Sequence, residues 1–471
     1  MQPTRTAPGS ARAGWTLLLA SLAAFITCID TMVVTTALPA LRTSLHGSLA
    51  DLEWTVNAYN LAFACLLLPG AALGDRFGRR RMFCLGLAGF TLASAAAALS
   101  STVGALVAAR AVQGGVAALV LPLSLTVISE AYPEARRSGA IGVWSGVIGF
   151  GGALGPVIGG AIVHGLAWQW IFWVNVPLGV VVTPLAALVL RESRGPTVRL
   201  DRVGVLLAAA GLLGLTWGLV RSSVAGWGSI DVLAPLLAGG VLLAGFTVWE
   251  LHTTQPVLPL PLFRRAGFAA ANAVSFFVYA SLWGAVFFMA QFFQTAQHLD
   301  PLHTGLRLLM WTAPAIVVAP TVGRLVGRYG TGIFMTAGLL LHAAGLAWIA
   351  VAASPHVAYA TLVAPLALSG IGIAMVMPTV SAQAVGSVPP SSVGVASGTN
   401  STLRELGGVV GVALVSAVFA RPGAYASPTQ FTHGFTAALW LAAGLSLVGV
   451  MCALAPRTSR ETASTELALQ R

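Results

Sequence analysis

Apolar residues along this chain come in blocks of about 18–25, the length that an α-helix needs to cross the hydrocarbon core of a bilayer. Short polar segments rich in arginine separate the blocks. Since hydrocarbon offers the backbone no hydrogen-bond partners, such blocks predict helices packed in a bundle. Fourteen spans are predicted, at residues 14–38, 52–73, 82–101, 103–128, 139–163, 169–190, 203–221, 232–251, 268–294, 304–326, 332–353, 357–384, 393–419 and 433–455.

The positive charges are unequally divided between the two ends of these spans. All 25 basic residues are arginine. With the N-terminus in the cytoplasm, nineteen arginines fall on the cytoplasmic side and four on the outside, while Arg110 and Arg404 lie within spans. Cytoplasmic loops of membrane proteins carry such an excess of positive charge. The protein is therefore predicted to lie in the cytoplasmic membrane with both termini in the cytoplasm.

Composition excludes several other classes of protein. Hydrophobic residues make up 57% of the chain and charged residues 8%, too few charges to cover a soluble domain of this length. The net charge of +11 does not indicate nucleic-acid binding, because juxtamembrane arginine is explained by topology and lipid headgroups. The four cysteines have no metal-site spacing, and no nucleophile lies beside a base. We therefore expect no metal, no other cofactor and no enzyme.

A short repeat divides the chain. The segment 73–78 reads LGDRFG after the second span, and LVGRYG follows the tenth. Two parallel six-helix halves, with a substrate site between them near the midplane, are how one large class of transporter is built. The prediction is a 6+2+6 all-α membrane protein, with halves at 1–190 and 266–456, a connector carrying two extra helices at 191–265, and a cytoplasmic tail at 457–471.

Asp30 and Arg110 are charged residues inside predicted spans, where an unpaired charge is costly. Asp30 should therefore face a water-filled cavity or a partner, and Arg110 is one candidate partner. The functional interpretation is a proton-coupling carboxylate tuned by an arginine. A purely structural role, with each group anchoring neighbouring helices, is the alternative.

The tight turn after the second span combines an acid with several arginines. Gly78 permits the turn, and Asp75 is placed to cap a helix or to pair with an arginine of a neighbouring loop. A contact of that kind can hold one conformation of a transporter. The candidate latch comprises Asp75, Arg76, Gly78 and Arg79; plain positive-inside topology is the alternative for its arginines.

The fifth predicted span carries a stripe of small residues. Gly151, Gly155, Gly159 and Gly160 would let a neighbouring helix approach closely, and Pro156 would bend the helix. Aromatic and amide side chains gather in other spans and could line an apolar cavity with a few polar groups, although lipid packing explains them as well. The candidate cavity residues are Asn57, Tyr59, Gln113, Trp144, Phe288, Gln291, Phe292, Gln294 and Trp311.

These motifs together resemble the fourteen-helix drug:proton antiporter branch of the major facilitator superfamily. The similarity covers nearly the whole chain, through residues 29–39, 73–80, 110–114, 151–160, 168–179 and 396–407. It implies export of small hydrophobic or amphipathic drugs, driven by the proton gradient through alternating access of the two halves. It also implies proton transfer involving Arg110, antibiotic resistance and a monomeric transporter.

Two alternatives remain. A dedicated exporter of one endogenous metabolite or antibiotic fits the same motifs, and a non-transporting membrane receptor or enzyme is the more distant option. Gly327 replaces the acid in the repeated loop, so an acid-based latch is expected mainly in the first half. Residues 304–326 contain no acid, which disfavours a divalent-cation exporter.

Overall fold

A computed structural model describes residues 10–194, 201–253, 256, 260–389, 393–420 and 425–454. Within those ranges the chain forms α-helices and no β-strand. The helices are α1 (Ser10–Leu45), α2 (Leu49–Phe77), α3 (Arg79–Ala98), α4 (Val103–Ala131), α5 (Glu134–Gly165), α6 (Trp170–Trp173), α7 (Asn175–Val189), α8 (Arg202–Ala225), α9 (Ile230–His252), α10 (Ala266–Gln291), α11 (Pro301–Thr312), α12 (Pro314–Tyr329), α13 (Thr331–Ala352), α14 (Tyr359–Gly386), α15 (Val393–Phe419) and α16 (Pro428–Leu454).

Each predicted span coincides with one of these helices or with a consecutive pair. In the described part of the chain, twelve helices are long and apolar enough to cross a membrane, or up to fourteen if two bent pairs each count as one span. The predicted number of fourteen is compatible with that range. One bent pair is α2, which turns by 51° at Pro69, because proline cannot donate to the helix ladder.

The packing divides the helices into two groups and a pair. Helices α1 to α7 pack mainly against one another, and so do α10 and α12 to α16. Helix α11 joins this second group through α14 and also packs closely against α5 of the first. Helix α8 packs against α9 and also against α2 and α15, one from each group. This arrangement agrees with two bundles and an inserted helix pair, although the predicted boundaries stay a prediction. The predicted tail lies outside the described residues.

The two groups meet at the end opposite the arginine-rich loops, which we call the outer end. There the Gln294 side chain donates to the Thr36 carbonyl at 2.8 Å, and the Arg42 guanidinium lies 3.4 Å from the centre of the Tyr425 ring. Helices α5 and α11 also cross closely at this end. We call these contacts the outer seam, and they close the molecule on that side.

Candidate functional site

The Asp30 carboxylate lies at the centre of a buried polar cluster. One oxygen accepts a hydrogen bond from the Arg110 guanidinium. The other accepts from the amides of Gln113, at 3.0 Å, and Asn175, at 2.8 Å. All four residues are at most 1% exposed. We call this cluster, which joins α1, α4 and α7, the Asp30 centre.

Arg110 has acceptors besides Asp30. Its Nε donates to the Thr55 carbonyl at 3.2 Å, and its Nη1 donates to Gln113 Oε1 at 2.6 Å. The guanidinium also lies 4.3 Å from the centre of the Tyr59 ring, close enough for a cation–π interaction. The Arg110 guanidinium therefore keeps hydrogen-bond and cation–π partners if its bond to Asp30 breaks.

Local sequence explains how the Asp30 centre is assembled. Arg110 and Gln113 are three residues apart on α4, so both side chains leave the same helix face. A Cβ on Gly114 would overlap the Tyr59 carbonyl, which shows how closely α2 approaches α4. Ser94 on α3 completes the cluster by accepting from Gln113 at 2.7 Å.

Sequence reasoning had not assigned a role to Asn175 or Ser94. Asn175 is the first residue of α7, directly after the break that follows α6. The available signal was an amide side chain two residues before Pro177, inside the sixth predicted span. The predicted contact of Asp30 with Arg110 is present, whereas the role of either residue in proton coupling stays a prediction.

The predicted latch forms a network at the inner end. Arg79 pairs with Asp75 at 2.7 Å and with Glu130 of α4. Its backbone N–H also donates to the Ser193 carbonyl at 2.9 Å. Arg76 is exposed and lies over the ring of its neighbour Phe77 instead, so it stands apart from the network.

Glu192 performs the capping that had been considered for Asp75. Its carboxylate accepts from the backbone N–H groups of Arg80 and Arg81, at 3.1 and 3.2 Å, at the start of α3. An acid is favourable there because a helix N-terminus exposes free N–H groups. Gly78 has φ +110, and a Cβ on it would lie 2.7 Å from the Glu192 carboxyl group, so the turn requires glycine.

The small residues of α5 face two different helices. Gly151, Gly155 and Gly159 pack on α1, where added Cβ atoms would collide with Phe25, Met32 and Thr36 respectively. The glycines of this motif thus let α5 pack closely against α1 along two helical turns.

Pro156 and Gly160 face α11 of the other group. A Cβ on Gly160 would overlap the Pro301 carbonyl, and one on Gly305 would overlap the Pro156 carbonyl. This reciprocal contact of small residues lets the two backbones touch. The motif therefore contributes directly to the outer seam.

The candidate cavity residues lie in several places in this conformation. Gln113 belongs to the Asp30 centre, and the Tyr59 ring lies beside the Arg110 guanidinium of that centre. Trp144 donates to Ser124 at 3.0 Å within the first group of helices. Gln291 accepts from the Tyr425 hydroxyl at 2.6 Å and lies, like Gln294, at the outer seam.

The remaining four are buried. Phe288 and Phe292 stack on other aromatic rings of the second group, at centroid distances of 4.3 and 4.4 Å. Trp311 is also buried, and Asn57 is buried with both amide atoms lacking a hydrogen-bond partner. The nine residues therefore do not surround one cavity here, because aromatic stacking and seam contacts occupy several of them. Their part in substrate binding stays a prediction.

Comparison with protein families assigns the fold. The family described as Major Facilitator Superfamily matches residues 20–412 and 271–469. The chain belongs to the major facilitator superfamily. The predicted family and its all-α fold are thereby confirmed, and membership makes the chain a multi-pass membrane transporter.

Curated relatives within this superfamily are exporters and resistance proteins. The tetracenomycin C resistance and export protein of Streptomyces glaucescens is 34% identical over 407 residues, covering 86% of this chain and 76% of its own. The multidrug resistance protein Stp of Mycobacterium tuberculosis is 33% identical over 420 residues, covering 89% and 77%. Similarity to such proteins supports drug efflux as the general activity and small molecules as substrates.

A solved structure supports the fold alone. A peptide transporter of the POT group superposes with a TM-score of 0.70 over 93% of this chain and 94% of its own, at 15% identity. In the described residues, no group of three or more histidine, cysteine or acidic side chains is arranged to hold a metal ion.

Proposed function

We propose that this protein exports small hydrophobic or amphipathic drugs across the cytoplasmic membrane in exchange for protons, and so confers antibiotic resistance. The observation that carries the proposal is the Asp30 centre, a fully buried ion pair in a superfamily member whose relatives are exporters. The protein acts as a monomer in lipid, with both termini in the cytoplasm. The proton gradient supplies the energy, and no cofactor is used.

When Asp30 binds a proton, Arg110 exchanges its partner Asp30 for other acceptors. Protonation of Asp30 removes the negative charge that Arg110 faces, and the guanidinium then relies on Gln113 and the Thr55 carbonyl, which already accept from it. Breaking a buried ion pair without such substitutes costs about 3–5 kcal/mol. The substitutes therefore lower the cost of binding and releasing a proton.

The outer seam shares a helix with the Asp30 centre. Within about two turns after Asp30, α1 packs on Gly155 and Gly159 of α5, and its Thr36 carbonyl accepts from Gln294 of the other half. A change in how Asp30 holds α1 against α4 and α7 is thus transmitted to the seam. This is the route by which the exchange of drug for a proton at Asp30 is coupled to opening and closing of the outer side.

The inner-end network acts as a tie within the first half. Arg79 links Asp75 to Glu130, and Ser193 joins the chain after α7 to the same place. The network keeps these helices together as one body while the two halves rock.

Drug accumulation in inverted vesicles tests the energy source. With an acidic lumen, a fluorescent cationic drug added outside should accumulate, and collapsing the pH difference with nigericin should abolish accumulation. Asp231→Asn, at the exposed start of α9, serves as a matched acid-removal control and should behave as the wild type. Accumulation that survives nigericin, or that requires ATP, would contradict the proposal.

A dedicated exporter of one antibiotic is the second candidate, and the tetracenomycin C relative favours it. A susceptibility panel in a host lacking its own efflux pumps separates the two. Resistance to several chemically unrelated drugs supports a broad exporter. Resistance confined to one compound class supports the dedicated exporter.

A further inference from the structure

Glu53 is a buried acid for which neither the motifs nor the Asp30 centre account. It lies about one turn into α2, near the outer end, and it is 0% exposed. Neither carboxylate oxygen has a hydrogen-bond partner among the described residues. An ionised carboxylate in that position would be strongly unfavourable, so the group is neutral in this conformation.

The Glu53 side chain faces the second half across the outer seam. Ser416 of α15 lies beside the carboxyl group, although neither side chain meets normal hydrogen-bond geometry. Tyr425 is close enough to interact with it electrostatically. The Tyr425 ring is in turn covered by the Arg42 guanidinium, and its hydroxyl donates to Gln291. Separation of α2 from α15 would expose Glu53 to external water.

Charged groups on the elements around α2 form other contacts. On α1 and α4, Asp30 and Arg110 bind one another. On α15, Arg404 pairs with Glu405. The other charged groups of these elements are Arg42, which covers Tyr425, Asp51 in the α2 capping box, and Arg202 and Arg221 at the exposed ends of α8. The rest lie at the inner end: Arg12, Asp75, Arg76, Arg79, Arg80, Arg81 and Glu130.

We propose that Glu53 is a second proton-binding site, which takes a proton from the external solution when the outer seam closes and returns it there when the seam opens. In the open state the carboxylate is hydrated and ionised, and the proton is released to water. In the closed state the proton resides on a carboxylate oxygen. External acid therefore favours the closed outer seam.

A second titratable contact crosses the same seam. His164 Nδ1 of α5 lies 3.2 Å from Asp300 Oδ1, which precedes α11. The backbone N–H of His303, with smaller contributions from the His303 and His164 side chains, lowers the pKa of Asp300 below its usual value. Protonated His164 would bind that anion more strongly. Acid would therefore favour the closed seam through this contact as well as through Glu53. The experiment must therefore separate the two.

Distances between spin labels across the seam, measured by pulsed electron paramagnetic resonance without drug, test the proposal. Labels at the exposed positions Thr43 and Gln430, in a background whose four native cysteines are alanine, report the outer opening. As pH falls from about 9 to about 5, the closed-to-open ratio should rise by up to about tenfold per pH unit, the limit for one linked proton.

Three variants assign that proton. Glu53→Gln should remain closed at every pH, whereas His164→Gln and Asp30→Asn should keep the dependence on pH. A Glu53→Gln protein with the wild-type dependence, or a wild type whose distances do not respond to pH, would overturn the proposal. A dependence lost in Asp30→Asn and kept in Glu53→Gln would overturn it as well, by assigning the external proton to Asp30.

If Glu53→Gln does not fold, infrared spectroscopy of the wild type tests the proposal independently. The carbonyl band of a protonated carboxylic acid should disappear at alkaline pH together with the closed distance. Opening without loss of that band would contradict the assignment. Although the proposal rests on the same alternating opening as drug export, this readout needs no transport. If the protein fails to export drug but the distance across the outer seam still depends on pH, the result would count against the proposed function and not against the role of Glu53.

Discussion

The two halves of the molecule share a backbone pattern and differ in charge. In the first half, Gly78 turns the chain at φ +110 between α2 and α3; in the second, Gly330 does so at φ +80 between α12 and α13. The first turn carries Asp75, which pairs with Arg79. The corresponding position in the second turn is Gly327, which has no charge to offer. Arg328 lies over the neighbouring Tyr329 ring, as Arg76 lies over Phe77 in the first turn.

The buried polar groups differ in the same way. The Asp30 carboxylate binds donors from two other helices, whereas Arg404 of α15 pairs with the adjacent Glu405, at 3.2 Å. His342 in the second half forms neutral contacts with Ser369 and Ser281, at 2.7 and 3.1 Å. Charge that joins separate helices is thus concentrated in the first half. The proposed mechanism accordingly assigns proton binding at Asp30 to the first half, where these interhelical charges lie.

The largest expected effect comes from separating the Asp30 ion pair. Arg110→Gln should lower the free energy of unfolding by about 3–5 kcal/mol, because it leaves a buried carboxylate uncompensated. Adding Asp30→Asn should recover much of that loss. Thermal unfolding in detergent measures both, as two legs of a double-mutant cycle. Independent, additive effects would contradict direct pairing.

The same cycle in the second half sharpens the contrast. Arg404→Gln and Glu405→Gln should show a coupling energy of about 1 kcal/mol or less, because neither side chain is fully buried within the protein, with exposed fractions of 25% and 12%. Coupling as large as that of Asp30 with Arg110 would remove the asymmetry between the halves.

The next effect concerns the outer seam. Gly160→Ala puts a methyl group against the Pro301 carbonyl and should disfavour the closed state by about 1–3 kcal/mol. Drug export should fall accordingly, about fivefold or more. Gly152→Ala on the same helix is the control, since a Cβ there meets nothing within 4 Å. Equal export by the two variants would show that the close approach of α5 to α11 has no role.

A smaller effect is expected at the inner end. Arg79→Gln removes the contacts with Asp75 and Glu130, which are partly exposed, and should cost about 1 kcal/mol, equivalent to roughly fivefold in export. Arg328→Gln, at the corresponding turn of the second half, should leave export unchanged. Initial export rates in vesicles with matched protein content give the comparison. Similar losses in both variants would indicate that net positive charge, rather than the network, is what matters.

The smallest effect involves Asp300 at the protein surface. Because its pKa is lowered in the folded protein, the stabilisation that its charge provides is present above the usual aspartate range, near pH 4, and is lost as pH falls further. Melting curves of wild type and Asp300→Asn should therefore differ at neutral pH and converge in acid. A difference that is constant with pH would show that the charge of Asp300 does not matter.

Sequence patterns predicted the helices well and their contacts unevenly. Hydropathy is a local property, so the fourteen spans fall on the helices that the structure has. The pairing of Asp30 with Arg110 followed from the cost of isolated buried charge. Asn175 was missed because it lies at a helix break, and Glu53 because its burial depends on α15, which lies far away in the sequence. The contact of Gly160 with Pro301 likewise exists only once the two halves meet.

Drug-triggered proton release from acid-loaded inverted vesicles tests the central claim most directly, with wild type and Asp30→Asn compared at equal protein content. A pH-sensitive dye in the lumen should report a rise in pH when drug is added to the wild type and no change with Asp30→Asn. Equal proton release by the two proteins would contradict the role of Asp30. Drug uptake by the wild type without any proton release would contradict antiport itself.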